Sequence, residues 1–245
     1  MSTVPLAHVT GERSIEDADR LRSPDTICKP DPRSHYLVRL DGHMRTPHRI
    51  TELDQHAAIG CYRLNAMVPH AVAVHFETAK NLYLYAWLVF RFYPVAEQQA
   101  LASLEFALRE RLADFINECK RKTPRLAPPS LRKLLKNATE QGLLKNELLQ
   151  GRDQWALELA KQRFRMEGMR EMIEAGMNEM GLDDSEVRPT EEDLRHDWLR
   201  DFVEVIPGIR NDYAHGSSTL HHSVLRTFDL VSQMINQLFP KAEHE

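Results

Sequence analysis

One short segment near the carboxyl end of the chain carries most of its chemically useful side chains. Within six positions it places an arginine, an amide, an acid, a phenol and a histidine, namely Arg210, Asn211, Asp212, Tyr213 and His215. Histidine titrates near neutrality, so it suits general acid or base catalysis. Arginine stays charged, and its planar fork matches two phosphate oxygens. The segment therefore offers groups that can bind a phosphate and move protons.

The sequences on either side of this motif have the spacing of amphipathic helices. Before it, the recurring apolar positions are Trp198, Phe202, Val205, Ile206 and Ile209. After it, the apolar stripe consists of Leu220, Val224, Phe228, Val231, Ile235 and Leu238. Gly216 supplies a helix stop, and Ser217-Ser218-Thr219 supplies a new N-cap. The motif is therefore predicted to lie in a loop between two long helices.

An arginine followed directly by a polar residue, with a histidine after four intervening residues, resembles the signature of the HEPN superfamily. HEPN domains are all-helical, occur widely in bacterial toxin–antitoxin and phage-defence systems, and often act as metal-independent ribonucleases. The resemblance begins near Pro69 and includes residues 96–109, which look like the other central helix of the family. It implies an all-α helical bundle and an endoribonuclease that cleaves RNA by 2′-hydroxyl transesterification, in phage defence or a toxin-type role.

Cleavage of RNA without a metal requires three chemical groups, which the residues of the motif can supply. A base must take the 2′-hydroxyl proton, an acid must protonate the leaving 5′-oxygen, and a cation must hold the charge at phosphorus. Arg210 is expected to hold the scissile phosphate and His215 to handle the protons. Asn211 is expected to orient His215 or to bind phosphate through its amide.

Three further residues are supporting candidates. Tyr213 either stacks a base or is buried on a helix face, and Asp212 has no assigned role. Glu105 is one turn from Arg109 and either pairs with it or reaches Arg210 from the neighbouring helix.

Helix geometry limits how the motif can act. On a continuous helix Arg210 and His215 would point about 140° apart, whereas Asn211 and His215 would share a face. Convergence of Arg210 with His215 therefore needs a loosened last turn or a second copy of the chain. A homodimer would also supply the second histidine that an acid and a base require, and HEPN ribonucleases are typically dimers with a shared cleft.

A role without catalysis is the alternative. An arginine and a histidine at a helix end also occur as a cap and a satisfied core partner. HEPN domains that have lost activity serve as binding or scaffold modules, so the chain would then bind RNA, a nucleotide or a partner protein. A regulatory or antitoxin protein is a further expected partner.

The charge of the chain is segregated. Its net charge is −4, and the region between residues 183 and 193 is strongly acidic. One run contains seven basic residues and no acid: Lys120, Arg121, Lys122, Arg125, Arg132, Lys133 and Lys136. This basic cluster is the predicted RNA contact, which salt should weaken steeply. The alternative is a solvated loop followed by a basic helix start.

The chain divides into residues 1–50, an irregular N-terminal extension, and residues 51–245, a HEPN-like domain with an inserted helical region at about 120–190. Asp41-Gly42 between two short runs predicts a small hairpin, and an extended arm on the helical body is the alternative. The predicted helices are 51–67, 69–92, one after Pro94, 131–140, 153–180 with a methionine stripe in the core, and one from about 190 through Trp198.

Several classes of protein are disfavoured. Residues 1–20 hold no apolar run typical of a signal peptide, and the longest apolar stretch, residues 82–90, is too short to span a membrane. Three cysteines without metal or disulfide spacing fit a cytoplasmic protein. The histidines at 43, 48, 56, 70 and 75 have irregular spacing for zinc, and His221 and His222 are predicted on the surface of the last helix. We therefore expect no metal and no cofactor.

Overall fold

The computed structural model describes residues 15, 17–41, 46–123, 125, 127–214 and 221–241. In these ranges the chain has an all-α fold with one small β-hairpin. The helices are α1 (Glu52–Gly60), α2 (His70–Tyr85), α3 (Phe92–Arg111), α4 (Ala113–Lys122), α5 (Leu131–Glu140), α6 (Arg152–Glu174), α7 (Glu191–Leu194), α8 (Trp198–Ala214) and α9 (Leu225–Leu238).

Helix α3 lies at the centre of the bundle, because α2, α5, α8 and α9 all pack against it. Its buried leucines Leu101, Leu104 and Leu108 recur at intervals of three and four residues and so share one face. The predicted stripe of α9 is confirmed wherever it is described, with Val224, Phe228, Val231, Ile235 and Leu238 buried. Leu220, which was predicted to open that stripe, lies outside the described residues.

In the described residues of the N-terminal extension, the chain is irregular apart from the predicted hairpin and two short 3-10 turns. Strands β1 (Val38–Asp41) and β2 (Thr46–Arg49) pair in antiparallel fashion. Asp41 pairs with Thr46 and so belongs to the strand, not to a two-residue turn. The hairpin interpretation is confirmed over the extended-arm alternative, and the residues between the strands, 42–45, lie outside the described residues.

The extension is anchored to the turn between α2 and α3. Asp31 is fully buried, and its backbone N–H donates to the Trp87 carbonyl over 2.9 Å. Its carboxylate accepts from the Phe90 N–H at 3.1 Å and from the Arg33 guanidinium at 2.9 Å. Ser34 donates to the same Trp87 carbonyl at 3.0 Å. These bonds fix the turn from which α3 begins.

In the first half of the chain, three helix boundaries differ from the sequence prediction. Helix α1 ends at Gly60 rather than Met67, and α2 ends at Tyr85 rather than Phe92. Pro94 does not separate two helices, because it lies in the first turn of α3. A proline is tolerated there because the first N–H groups of a helix have no intrahelical partner.

Helix α6 differs from the prediction in both its length and its buried face. It ends at Glu174 instead of near Met180. The methionine stripe expected in the core is exposed, with 57% of Met166, 50% of Met169 and 68% of Ile173 accessible. The buried positions are small residues instead, namely Ala156, Ala160 and Gly168. The periodicity of the sequence identified an apolar stripe on α6, but the fold buries a different face of that helix.

The largest correction concerns the motif. The predicted loop is helical as far as the structure describes it, because α8 continues through Arg210 to Ala214 with Pro207 inside it. Pro207 cannot donate to the Val203 carbonyl, yet the proline and its neighbour Ile206 are both buried. This packing keeps the helix continuous at a residue that normally ends one.

The buried face of α8 is also displaced from the predicted one. Leu199, Val203 and Ile206 are buried, whereas Val205 of the predicted stripe is 53% exposed. The helix expected to start near residue 190 is divided, because α7 is capped by Thr190 and ends before α8 begins.

The region predicted as an insertion contributes to the bundle. Helix α5 matches its predicted range and buries Leu131, Leu134 and Leu135 between α3 and α8. Helix α6 packs against α7. The division of the chain at residue 50 and the inserted status of residues 120–190 stay predictions.

Candidate functional site

Two polar residues of α8 stand where its apolar stripe would continue. The next positions after Ile206 at helical spacing are Arg210 and Tyr213. Each meets a carboxylate of α3. Arg210 Nε lies 3.4 Å from an oxygen of Glu105, and the Tyr213 hydroxyl donates to Glu97. The motif thus faces the central helix of the bundle.

Glu105 binds two guanidinium groups with its two oxygens. Oε1 accepts from Arg109 Nη2 at 2.6 Å, and Oε2 lies 3.4 Å from Arg210 Nε. Both alternatives predicted for Glu105 therefore occur together. The Arg210 side chain is 40% exposed, and its remaining N–H groups bond to no other described residue. One carboxylate between two arginines leaves a net positive charge at this point.

This triad lines a groove of about 370 Å³, here called the arginine groove. Asn211, Arg132 and residues 128–131 at the start of α5 also line it. Ser130 is the N-cap of α5, but its side chain makes no capping hydrogen bond. The first N–H groups of a helix attract anions when they are left open. The groove therefore combines three arginines, an amide and a helix start, which together suit a phosphate.

The predicted basic cluster adjoins the arginine groove. Lys120 at the end of α4 and Lys133 on α5 line a second cavity of about 220 Å³. Residues 128–130 line both this cavity and the arginine groove. The basic surface around Lys120 is therefore connected to Arg210 across the start of α5.

Part of the basic cluster is neutralised, because the fold brings carboxylates next to three of its cations. The ion pairs are Lys122 with Glu118, Arg132 with Glu204, and Lys136 with Glu140. The Lys133 ammonium lies 5.8 Å from the centroid of the Phe115 ring. Lys120, Arg121 and Arg125 are exposed and form no ion pair with any residue that the structure describes.

A second polar cluster surrounds Glu97, which is only 5% exposed. One carboxylate oxygen accepts from the Thr227 hydroxyl of α9, and the other accepts from the Tyr213 hydroxyl of α8. His221 Nε2 lies 2.8 Å from the same tyrosine oxygen. Since the tyrosine donates its single proton to Glu97, Nε2 of His221 must donate in this contact. The cluster joins α3, α8, α9 and the segment before α9.

The surroundings of Tyr213 keep its hydroxyl protonated. Burial and the hydrogen bond to the Glu97 carboxylate raise the pKa of Tyr213 well above that of a free tyrosine. Of the two predicted roles for Tyr213, this geometry corresponds to burial on the helix face rather than to an open ring that stacks a base.

The sequence analysis did not identify Glu97, Thr227 or His221. A signal for Glu97 was present, because it lies four positions before Leu101 on the buried leucine face of α3. Both histidines precede α9 instead of lying on it, and His222 is exposed as predicted, whereas His221 is half-buried. His221 precedes α9 and contacts Tyr213, and the His222 ring lies 6.3 Å from the rings of Phe90 and Tyr93.

Other predicted site residues are placed less deeply. Asn211 and Asp212 are exposed on the last turn of α8. His215 and Gly216 lie outside the described residues, as does the predicted N-cap 217–219. Among the residues that the structure describes, no group of three or more His, Cys, Asp or Glu side chains could hold a metal ion.

Fold and site together define an all-α protein with a cationic groove beside a buried carboxylate cluster. Comparisons with protein-family models, curated proteins and solved structures gave no significant match. The family resemblance therefore rests on the residues of the motif and of the segment 96–109 alone. In the described part of the chain, none of the helices has the length and apolar character required to cross a membrane.

Proposed function

We propose that this protein is a metal-independent endoribonuclease of HEPN type, active in the cytoplasm in phage defence or a toxin-type role. The observation that carries the proposal is the partly exposed Arg210, which lies in a groove that continues into the basic cluster and which binds only Glu105 among the described residues. A nucleic-acid backbone is bound by successive cations. Arg210, Arg109 and Arg132, followed by Lys120 and Lys133, supply such a series.

The proposed reaction uses the motif as follows. Arg210 binds the non-bridging oxygens of the scissile phosphate. A histidine base, His215, removes the 2′-hydroxyl proton, and the 2′-oxygen bonds to phosphorus. The bond from phosphorus to the 5′-oxygen breaks, and that oxygen receives a proton from an acid. The products are a 2′,3′-cyclic phosphate end and a 5′-hydroxyl end.

The acid in this scheme is His215 of a second copy, so the working form is a homodimer. Continuation of α8 to Ala214 supports this part of the proposal, because within one continuous helix Arg210 and His215 would point apart. Asn211, exposed at the groove, binds phosphate or orients the histidine. A regulatory or antitoxin protein remains a proposed partner.

A catalytically inactive module that binds RNA, a nucleotide or a protein is the second candidate. The contact that favours it is the ion pair between Arg210 and Glu105, which offsets part of the charge that a transition state would use. In that case the groove would bind its ligand without cutting it.

Incubation of RNA with the protein in excess EDTA tests the proposal. We expect cleavage with 2′,3′-cyclic phosphate ends, and we expect His215→Ala to abolish it. His56→Ala is the matched control, because His56 is exposed on α1 and lines no part of the arginine groove. Binding without cleavage, unchanged in His215→Ala, would support the inactive module instead. Neither cleavage nor binding would leave a partner-protein role.

A further inference from the structure

A cavity of about 610 Å³ shares no lining residue with the arginine groove. It lies among the segment after α1, the carboxyl end of α3, the connection between α5 and α6, and the side of α9. Its volume is in the range of sites that bind small molecules. Its lining is rich in amides and charged groups, so an apolar ligand would not suit it.

Amide side chains of α9 fix the walls of this cavity. The Gln237 side-chain oxygen accepts from the Lys145 backbone N–H at 2.8 Å, and the Gln233 oxygen accepts from the Gln150 N–H at 2.6 Å. On the other side, Asn236 donates to the Arg63 carbonyl at 2.9 Å. The cavity is therefore formed before any ligand enters.

The charges around the cavity are unbalanced. Arg63, Arg111 and Lys145 line it, and none of the three forms an ion pair within the described ranges of the chain. The single lining carboxylate is Asp229, whose Oδ1 accepts from Gln233 at 2.9 Å. Three cations against one carboxylate favour an anionic ligand.

Uncharged polar side chains complete the lining, among them Ser232, Asn236 and Gln237. The neighbouring Tyr62 keeps its proton, because burial raises the pKa of its hydroxyl. The cavity thus offers neutral hydrogen-bonding groups beside its cations.

We propose that this cavity binds a small phosphorylated molecule, with the phosphate at Arg63, Arg111 and Lys145. The rest of the ligand carries hydroxyl or amide groups that bond to the uncharged polar side chains of the lining, such as Tyr62 and Ser232. Sugar phosphates and mononucleotides share this chemistry. The proposal does not depend on ribonuclease activity.

Calorimetric titration of the full chain with ribose 5-phosphate, adenosine 5′-monophosphate and inorganic phosphate at constant ionic strength tests it. We expect both organic phosphates to bind with saturation, at least about tenfold more tightly than inorganic phosphate. Tighter binding of the nucleotide than of the sugar phosphate would assign the ligand as a nucleotide, and equal binding would assign a sugar phosphate. The proposal is wrong if neither binds, or if inorganic phosphate binds equally well.

Two variants locate the binding. Arg111→Ala should weaken it about tenfold, and Asp229→Asn should strengthen it several-fold because a repelling charge is removed. The gain cannot arise from unfolding, and the asparagine keeps an oxygen for Gln233. Arg121→Ala is the control, an exposed basic residue that does not line this cavity. An equal loss in Arg121→Ala, or no gain in Asp229→Asn, would contradict the assignment.

Discussion

Glu97 and Glu105 lie two turns apart on α3, and both bind residues of α8, yet their surroundings differ. Glu97 is 5% exposed and accepts hydrogen bonds from the neutral hydroxyls of Tyr213 and Thr227. The Glu105 side chain is 15% exposed and lies between the guanidinium groups of Arg109 and Arg210 at an open groove. We infer that the first carboxylate holds three helices together and that the second holds an accessible arginine.

The largest expected effect is a difference in protein stability between variants of the two carboxylates. Glu97→Ala leaves two hydroxyl groups without an acceptor in a buried site, so it should lower the free energy of unfolding by about 3 kcal/mol. Glu105→Ala breaks a partly exposed pair and should cost about 1 kcal/mol or less. Denaturant unfolding measures both, with Glu110→Ala, an exposed glutamate of the same helix, as control. Equal losses at positions 97 and 105 would remove the distinction.

The Glu97 cluster should also make the free energy of unfolding depend on pH in the alkaline range. The pKa of Tyr213 is raised in the folded chain, so its contribution is complete below the unfolded value of about 10 and is lost as pH rises above that value. The stability advantage of the native protein over Tyr213→Phe should therefore be constant below about pH 10 and shrink as the pH rises above that value. Tyr83 and Tyr93 also have pKa values raised by burial, but they are common to both proteins. A difference that stays constant above about pH 10 would contradict the assignment.

A smaller effect is expected on RNA binding. Glu105→Gln removes the charge that opposes Arg109 and Arg210, so RNA affinity at low salt should rise by about threefold to tenfold. Glu97→Gln should leave affinity unchanged once the folded fraction is equal, because that side chain is buried away from the groove. Fluorescence anisotropy with a labelled RNA measures both. A gain at position 97 rather than 105 would reverse the comparison.

The smallest effect concerns the basic cluster. Lys120→Ala should reduce the slope of log affinity against log salt by about one, because it removes a cation that pairs with no carboxylate in the described part of the chain. Lys122→Ala should change the slope less, since Lys122 is already paired with Glu118. Equal slopes in the two variants would mean that the ion pair does not limit contact with RNA.

The parts of the fold that sequence predicted are those governed by local spacing. The α9 stripe, the range of α5 and the hairpin follow from periodicity and turn residues, and all three are present. The end of α8 was not predictable in this way. Pro207 normally ends a helix, and only its burial beside Ile206 explains why this one continues.

The site was predictable to a similar extent. The pairing of Glu105 with Arg109 follows from helical spacing, and its contact with Arg210 was one of the stated alternatives. The ion pair of Arg132 with Glu204 and the contact of His221 with Tyr213 bring together residues from different elements. Such contacts depend on how helices pack, which spacing along the chain does not determine.

The most direct test of the account is the single-turnover rate of RNA cleavage in EDTA for the native protein and Arg210→Ala, with folding checked for both. The account predicts that the native protein cuts and that the variant is slower by at least about 10²-fold. Arg210→Lys should be intermediate, because it keeps the charge without the bidentate fork. Cleavage by Arg210→Ala at the native rate, or none by the native protein, would contradict the account.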